Sequence, residues 1–267
     1  MGINEEILWG GCKYQPNNIY NVDCYEAIKE IPDKSIDCIY VDVPYLIENK
    51  KINYVIKETQ TPVNQRILKM ANSLIESDIY SGFDYSLLDE FIRISKKVNI
   101  FIWCSKQQLV TIMNYFIVQN NYNYELLTWN KSNPTPMCNN NWLPDLEYCL
   151  YFREAGVHLN DGYENKSKWF CSPINQKDKA EYDHPTIKPL ELVKRHLRHA
   201  TQPNDIILDC FLGSGTTYIA AVEEGRRCIG FEKEKKYYDI AVNRANGISQ
   251  ADVRIKEKGI QSIFDFI

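Results

Sequence analysis

The sequence predicts an α/β fold, a doubly wound sheet with helices on both faces, and three observations carry that expectation. Short apolar runs alternate with amphipathic segments along most of the chain, which is the order of strands and their crossover helices. Seven of these runs read as strands, enough for a sheet of that kind. With 267 residues, 44% hydrophobic and 25% charged, the chain can bury a large core and has neither a disordered nor a collagen-like composition.

The first strand is expected at residues 19–22, followed by a helix at 23–30 whose start places Asp23 three residues before Glu26, the form of a capping box. A strand at 36–41 comes next, then helical patterns at 61–76 and 85–97. Strand 98–103 leads to helix 105–119, and strands 124–129 and 146–152 follow. Pro189 suits the first turn of a helix at 189–201. Strand 206–209, helix 214–224, strand 228–231 and helix 235–245 complete the series.

Two stretches break the alternation. Residues 46–80 carry Lys50, Lys51, Lys57, Arg66 and Lys69, and residues 153–183 are polar with Tyr163, Trp169, Phe170 and Tyr182 among them. Long insertions at strand ends are where an α/β enzyme selects its substrate, although a solvated loop has the same composition. No linker divides the chain, so residues 1–267 read as a single domain.

Charge and cysteine usage exclude several classes. Lys plus Arg number 31 against 35 Asp plus Glu, a net charge of -4, so this is not a small basic module held to nucleic acid by bulk charge. Nine cysteines without a Cys-x-x-Cys pair read as reduced thiols; Cys38, Cys104, Cys149 and Cys228 lie in apolar runs and are expected to be buried. The four histidines form no cluster with them, so no metal site is expected. The first residues lack a signal-peptide pattern and no run approaches the ~20 apolar residues of a membrane span. The expected location is cytoplasmic, with no membrane partner.

The sharpest signal is the run from Asp205 to Thr217, a strand, a tight turn and the start of a helix. Gly213 and Gly215 let the backbone approach a ligand, and N–H groups at the following helix start favour an anionic group. The next strand ends at Glu232, where an acid can hold two ribose hydroxyls. A nucleoside-bearing ligand is expected. A dinucleotide fold is the rival, but Tyr218 stands where its third glycine would be. A purely structural strand-to-helix turn also fits. Asp209 before the turn and Thr216 and Thr217 after it suit an amino-acid end better than a pyrophosphate.

Upstream, the strand at 36–41 runs into Asp42-Val43-Pro44-Tyr45. This tetrapeptide resembles the Asp-Pro-Pro-Tyr motif of amino-group DNA methyltransferases, which move a methyl group from S-adenosylmethionine to N6 of adenine or N4 of cytosine. His184-Pro-Thr-Ile-Lys188-Pro189 resembles a further motif of that family, and Asp209 to Thr217 its cofactor turn. The catalytic turn precedes the cofactor turn, an order similar to the permuted beta group. Asn21-Val-Asp23-Cys24 resembles the segment that holds the cofactor's adenine, and residues 129–134 and 144–152 resemble the middle blocks.

The resemblance implies a Rossmann-like methyltransferase fold, a seven-stranded, mostly parallel sheet with one antiparallel strand. It implies DNA as substrate, S-adenosylmethionine as cofactor, no metal, and a homodimer or a cognate restriction endonuclease as further partners. Asp42, Val43, Pro44 and Tyr45 would be catalytic. Asp23, Cys24, His184, Thr186, Lys188, Asp209, Phe211, Gly213, Ser214, Gly215, Thr216, Thr217 and Glu232 would bind the cofactor. Segments 46–80 and 153–183 would recognise DNA, with the basic residues between Arg153 and His199 contacting it.

Val43 and Cys210 depart from the family's prolines at those positions. A residue before proline is already extended, which a β-branched side chain favours, so the turn should survive. Asp rather than Ser at position 42 favours adenine by the family's pattern. An adenine amine is a poor nucleophile because its lone pair is delocalised; acceptors at positions 42 and 43 would free that pair, and Tyr45 would stack on the extruded base. The alternatives are a cytosine-N4 enzyme and a catalytically degenerate cofactor- or DNA-binding subunit.

Overall fold

In the computed structural model of the chain, the described residues are 9, 11–46, 82–134, 142–157, 159–160, 162–163, 166–174 and 187–248. The elements are β1 (Asn18–Asn21), α1 (Cys24–Ala27), β2 (Cys38–Asp42), α2 (Leu87–Ile94), β3 (Asn99–Cys104), α3 (Leu109–Met113), β4 (Asn123–Lys131) and β5 (Leu146–Arg153), followed by β6 (Trp169–Ser172), α4 (Leu190–Ala200), β7 (Ile206–Asp209), α5 (Thr216–Glu223), β8 (Arg227–Glu232) and α6 (Lys235–Ala245). A single 3-10 turn, Ile28–Glu30, extends α1, and a wider π turn, Asn114–Gln119, extends α3. The helix expected at 61–76 lies outside the described residues.

The strands form one sheet in the order β1-β8-β7-β2-β3-β5-β4-β6. Only β5 runs against the others, pairing antiparallel with both β3 and β4. The doubly wound, mostly parallel architecture agrees with the sequence reading, but the sheet has eight strands and not seven. The additional strand is β6, inside the segment read as an insertion. It has only four residues and lies at an edge, where its single ladder to β4 runs from Thr128↔Trp169 to Lys131↔Ser172. An edge strand needs no continuous apolar run, so the hydrophobic pattern does not reveal it.

Period-two alternation builds two cores. Ile39 and Val41 of β2 face Leu87, Leu88, Phe91 and Ile94 of α2, together with Ile112 and Phe116. Cys38 and Tyr40 face Leu192, Val193 and Leu197 of α4 and Ala220 and Ala221 of α5. Each successive side chain on a strand points to the opposite face, so a strand apolar at every position must be covered on both. Under α4, the Trp103 indole donates to the Tyr40 hydroxyl at 2.9 Å, and that hydroxyl lies 3.1 Å from His196 Nδ1. An indole N–H can only donate, so the Tyr40 oxygen is an acceptor from Trp103 and shares a second hydrogen bond with His196. Burial holds the His196 pKa down at about 3. No described helix is long and apolar enough to cross a membrane.

Local chemistry explains where the elements begin. Asp23 accepts from the Tyr25 N–H and starts α1, while Glu26, the other half of the expected box, pairs with Lys29. Pro189 stands just outside α4, in extended geometry. The helix expected from residue 105 begins at 109, because residues 105–108 form a turn that serves the site described next.

Candidate active site

Asp42 ends β2 and Asp209 ends β7, and these strands are parallel neighbours. From β2 the chain crosses to β3 on one side, and from β7 to β8 on the other. A crevice therefore opens at their carboxyl ends, where strand order reverses. The geometry brings the acidic-proline turn and the glycine turn together.

The tetrapeptide is held by its main chain. Val43, buried in the core on the α2 face, donates its N–H to the Trp103 carbonyl at 3.2 Å. Gln108 donates from its amide nitrogen to the Pro44 carbonyl (3.0 Å), and its Oε1 accepts from the Ser105 N–H (2.9 Å). Ser105 Oγ donates in turn to the Leu46 carbonyl at 3.1 Å. Gln108 is fully buried, so it acts as an internal clamp. In Gln108→Leu the Pro44 carbonyl and the Ser105 N–H lose their partner, a cost of about 1–3 kcal/mol that urea unfolding measures. An unchanged unfolding midpoint would contradict the clamp.

Beside the turn lies a chain of alternating charges. Lys188 Nζ is 2.6 Å from Asp42 Oδ2 and 2.8 Å from Glu147 Oε2; Lys131 Nζ is 2.7 Å from Glu147 Oε1. The Tyr45 hydroxyl donates to Glu147 Oε2 and accepts from Lys188, each at 3.3 Å. Asp42 Oδ1 is buried with no hydrogen-bond partner among the described residues. Burial pushes the Asp42 carboxyl above its ordinary value in spite of Lys188. For Glu147 burial acts in the same direction, but Lys188 and Lys131 outweigh it and hold its pKa at about 2. Lys188 is raised: burial opposes its charge, and the two carboxylates more than compensate.

The glycine turn joins β7 to α5 and is tied by hydrogen bonds to the end of β8. Asp209 Oδ1 accepts from the Phe211 N–H at 3.0 Å. Glu232 accepts from the Gly213 N–H on one oxygen and from the Glu234 N–H on the other, both at 2.8 Å. Gly215 has φ +82°, and a Cβ there would meet the Ala241 backbone of α6 at 3.2 Å, so only glycine fits without strain. Arg244 of α6, itself buried, donates to the Ser214 carbonyl (3.2 Å) and to Thr216 Oγ1 (2.8 Å). Burial lifts the Asp209 pKa to about 7, against a hydrogen bond from the Thr217 side chain. Phe211 sits at the edge of the crevice, with its ring 6.4 Å from Phe83.

Asp23 lies at the next strand end, paired with Lys233 at 3.1 Å, while Asn21 donates to the carbonyls of Glu232 and Lys233. Cys24 is buried, and burial pushes its thiol up to about 12, so it fills space as a neutral group. Lys188 stands on Asp42, at the acidic-proline turn. His184 and Thr186 lie outside the described residues. Among the described residues, the basic side chains from Arg153 to His199 are largely engaged within the chain. Lys168 pairs with Glu125, Lys194 with Glu223, Arg198 with Glu224, while Arg153 and Arg195 donate to the carbonyls of Val157 and Trp169.

Sequence reasoning missed Gln108, Arg244 and the roles of Glu147 and Lys131. A charged residue at the end of an apolar strand was the available signal for the last two; Gln108 and Arg244 carry none.

Comparison with known proteins agrees with this geometry. The N6/N4 methyltransferase family model, described as DNA methylase, matches residues 36–243. The type II methyltransferase M.HinfI of Haemophilus influenzae is 31% identical over 256 residues, which is 87% of this chain and 69% of that protein. The type II methyltransferase M2.MboI of Moraxella bovis is 28% identical over 246 residues, 87% and 88% of the two chains. Among solved structures, the M1.HpyAVI–SAM complex matches with a TM-score of 0.61 and 26% identity, covering 85% of this chain and 98% of that one. The cytosine-N4-specific PvuII DNA methyltransferase shares the fold, with a TM-score of 0.62 at 15% identity over 88% of this chain and 89% of that one.

Proposed function

The chain belongs to the N6/N4 DNA methylase family, and from that premise we propose that it transfers a methyl group from S-adenosylmethionine to the exocyclic N6 of adenine in a specific DNA sequence. One observation carries the reading: a buried acceptor, Asp42 Oδ1, stands without a partner among the described residues, at the strand end that adjoins the glycine turn.

The residues fit the cofactor. Gly215 lets the turn pack directly on Ala241 of α6, and each Glu232 oxygen that takes one N–H retains a lone pair for a ribose hydroxyl. The Asp209 carboxyl, buried and held near neutral pKa, gains by facing an ammonium group. Asp23 and Cys24 flank the adenine end; Phe211 forms the wall; Ser214, Thr216 and Thr217 line the methionine end, and the motif containing His184 and Thr186 is assigned to the cofactor by resemblance alone. When bound, the cofactor supplies an electrophilic methyl on a sulfonium.

The chain supplies alignment. Asp42 Oδ1 and the Val43 carbonyl accept the two amine hydrogens and free the nitrogen lone pair. Gln108 fixes Pro44, and with it the carbonyl before it. The Tyr45 ring replaces the stacking that the base loses on leaving the duplex. Segments 46–80 and 153–183 select the DNA sequence. The order of catalytic and cofactor turns suits the permuted beta group, and a homodimer and a cognate restriction endonuclease are the partners that go with it.

The test is labelled methyl transfer from S-adenosylmethionine to unmodified DNA, with the modified base identified by mass spectrometry. N6-methyladenine is the expected product. N4-methylcytosine would move the assignment to cytosine, and S-adenosylhomocysteine binding without any DNA methylation would make the chain a non-catalytic subunit.

A further inference from the structure

We propose that Glu147 and Lys131 are positioning residues that keep Asp42 Oδ1 free for the target amine, an inference that rests on the methyltransferase reading above. An ammonium beside a single carboxylate gains most by sitting between both oxygens. Lys188 does not do so. Its three N–H directions go to Asp42 Oδ2, Glu147 Oε2 and the Tyr45 hydroxyl, so Glu147 draws it to one side and leaves Oδ1 open.

Glu147 is fixed in turn by Lys131 on its other oxygen. The side chains of Lys188, Glu147 and Lys131 are 10%, 18% and 16% exposed and that of Asp42 31%, so water screens the two pairs on Glu147 least. The four charges alternate and sum to zero, which lets Lys188 be shared between two carboxylates without excess charge in the crevice.

The fold explains why these residues meet. Parallel strands deliver only their last residues to the crevice, as β2 delivers Asp42 and β4 delivers Lys131. Because β5 runs the other way, it brings its beginning, with Glu147 opposite Trp129 and two registers from Lys131. Its reversed direction places a carboxylate at an edge otherwise made of strand ends.

The experiment is steady-state methylation by the full chain with Glu147→Gln, Lys131→Met, Lys131→Arg and the double variant Lys131→Met/Glu147→Gln. Expected is a fall in kcat of about 100-fold for Glu147→Gln and about tenfold for Lys131→Met, with KM for S-adenosylmethionine unchanged. Lys131→Arg restores most of the rate, because a cation is all that Glu147 requires. The double variant is no slower than Glu147→Gln, since Lys131 acts only through Glu147. Wild-type kcat in Glu147→Gln, or a further loss in the double variant, overturns the proposal. If Glu147→Gln does not fold, the contrast between Lys131→Met and Lys131→Arg decides, and equal rates in those two reject it. An inactive wild-type chain would instead sink the methyltransferase reading, whereas loss in Asp42→Ala with full activity in Glu147→Gln would sink this inference alone.

Discussion

Asp42→Ala lowers methyl transfer by about a thousandfold or more, while S-adenosylhomocysteine still protects the protein from thermal unfolding. The loss is large because the substitution removes a buried acceptor that has no partner among the described residues. Stability changes little, since Lys188 keeps Glu147 as its counter-ion and is not left as an orphaned charge. Asp42→Asn is the sharper variant. An asparagine side chain has one acceptor oxygen, and Lys188 claims it, which turns the NH2 group toward the amine and sets donor against donor. Its rate is therefore expected close to that of Asp42→Ala. Transfer at the wild-type rate in both variants would remove Asp42 from the reaction.

Lys188→Met is the variant with the largest expected effect on stability. It leaves Asp42 without a counter-ion beside Glu147, and breaking such a partly buried pair costs about 3 kcal/mol, a melting shift of about 10 °C in a domain of this size. The pH dependence has a definite sign. Like-charge repulsion and burial raise at least one carboxyl above its unfolded value, so the folded variant binds more protons than the unfolded chain and loses stability as pH rises. In the unsubstituted protein Glu147 has the opposite behaviour: held at about 2, it contributes stability above its ordinary value of 4.5 that is lost as pH falls toward 2. The two stability curves should converge in acid and separate toward pH 8. Parallel curves by calorimetry would show that Lys188 does not compensate these carboxylates.

Much of the architecture could be read because local pattern and fold agree. The strand 206–209 and the helix 235–245 coincide with β7 and α6, since each is a run whose periodicity has a single structural solution. Asp42 and the glycine turn were legible as short motifs. What escaped depends on partners distant in sequence. Gln108 clamps Pro44, Arg244 supports Ser214, and Glu147 divides Lys188 from Lys131, relations that no window around those residues contains. Lys188 was read as a cofactor residue from its motif, yet its nearest charges are Asp42 and Glu147. The basic residues after Arg153 suggested an open positive face, whereas those described mostly neutralise acids on nearby elements.

The adjacency of β2 and β7 also governs how the protein comes into being. On the ribosome the strand carrying Asp42 emerges early, and the strand that must lie beside it is among the last made. Until then β2 has an unsatisfied flank, and pairing over so long a stretch of chain is slow. A chain interrupted before β7 would thus carry half a crevice and lack the glycine turn and Glu232, so each finished molecule acquires its competence late.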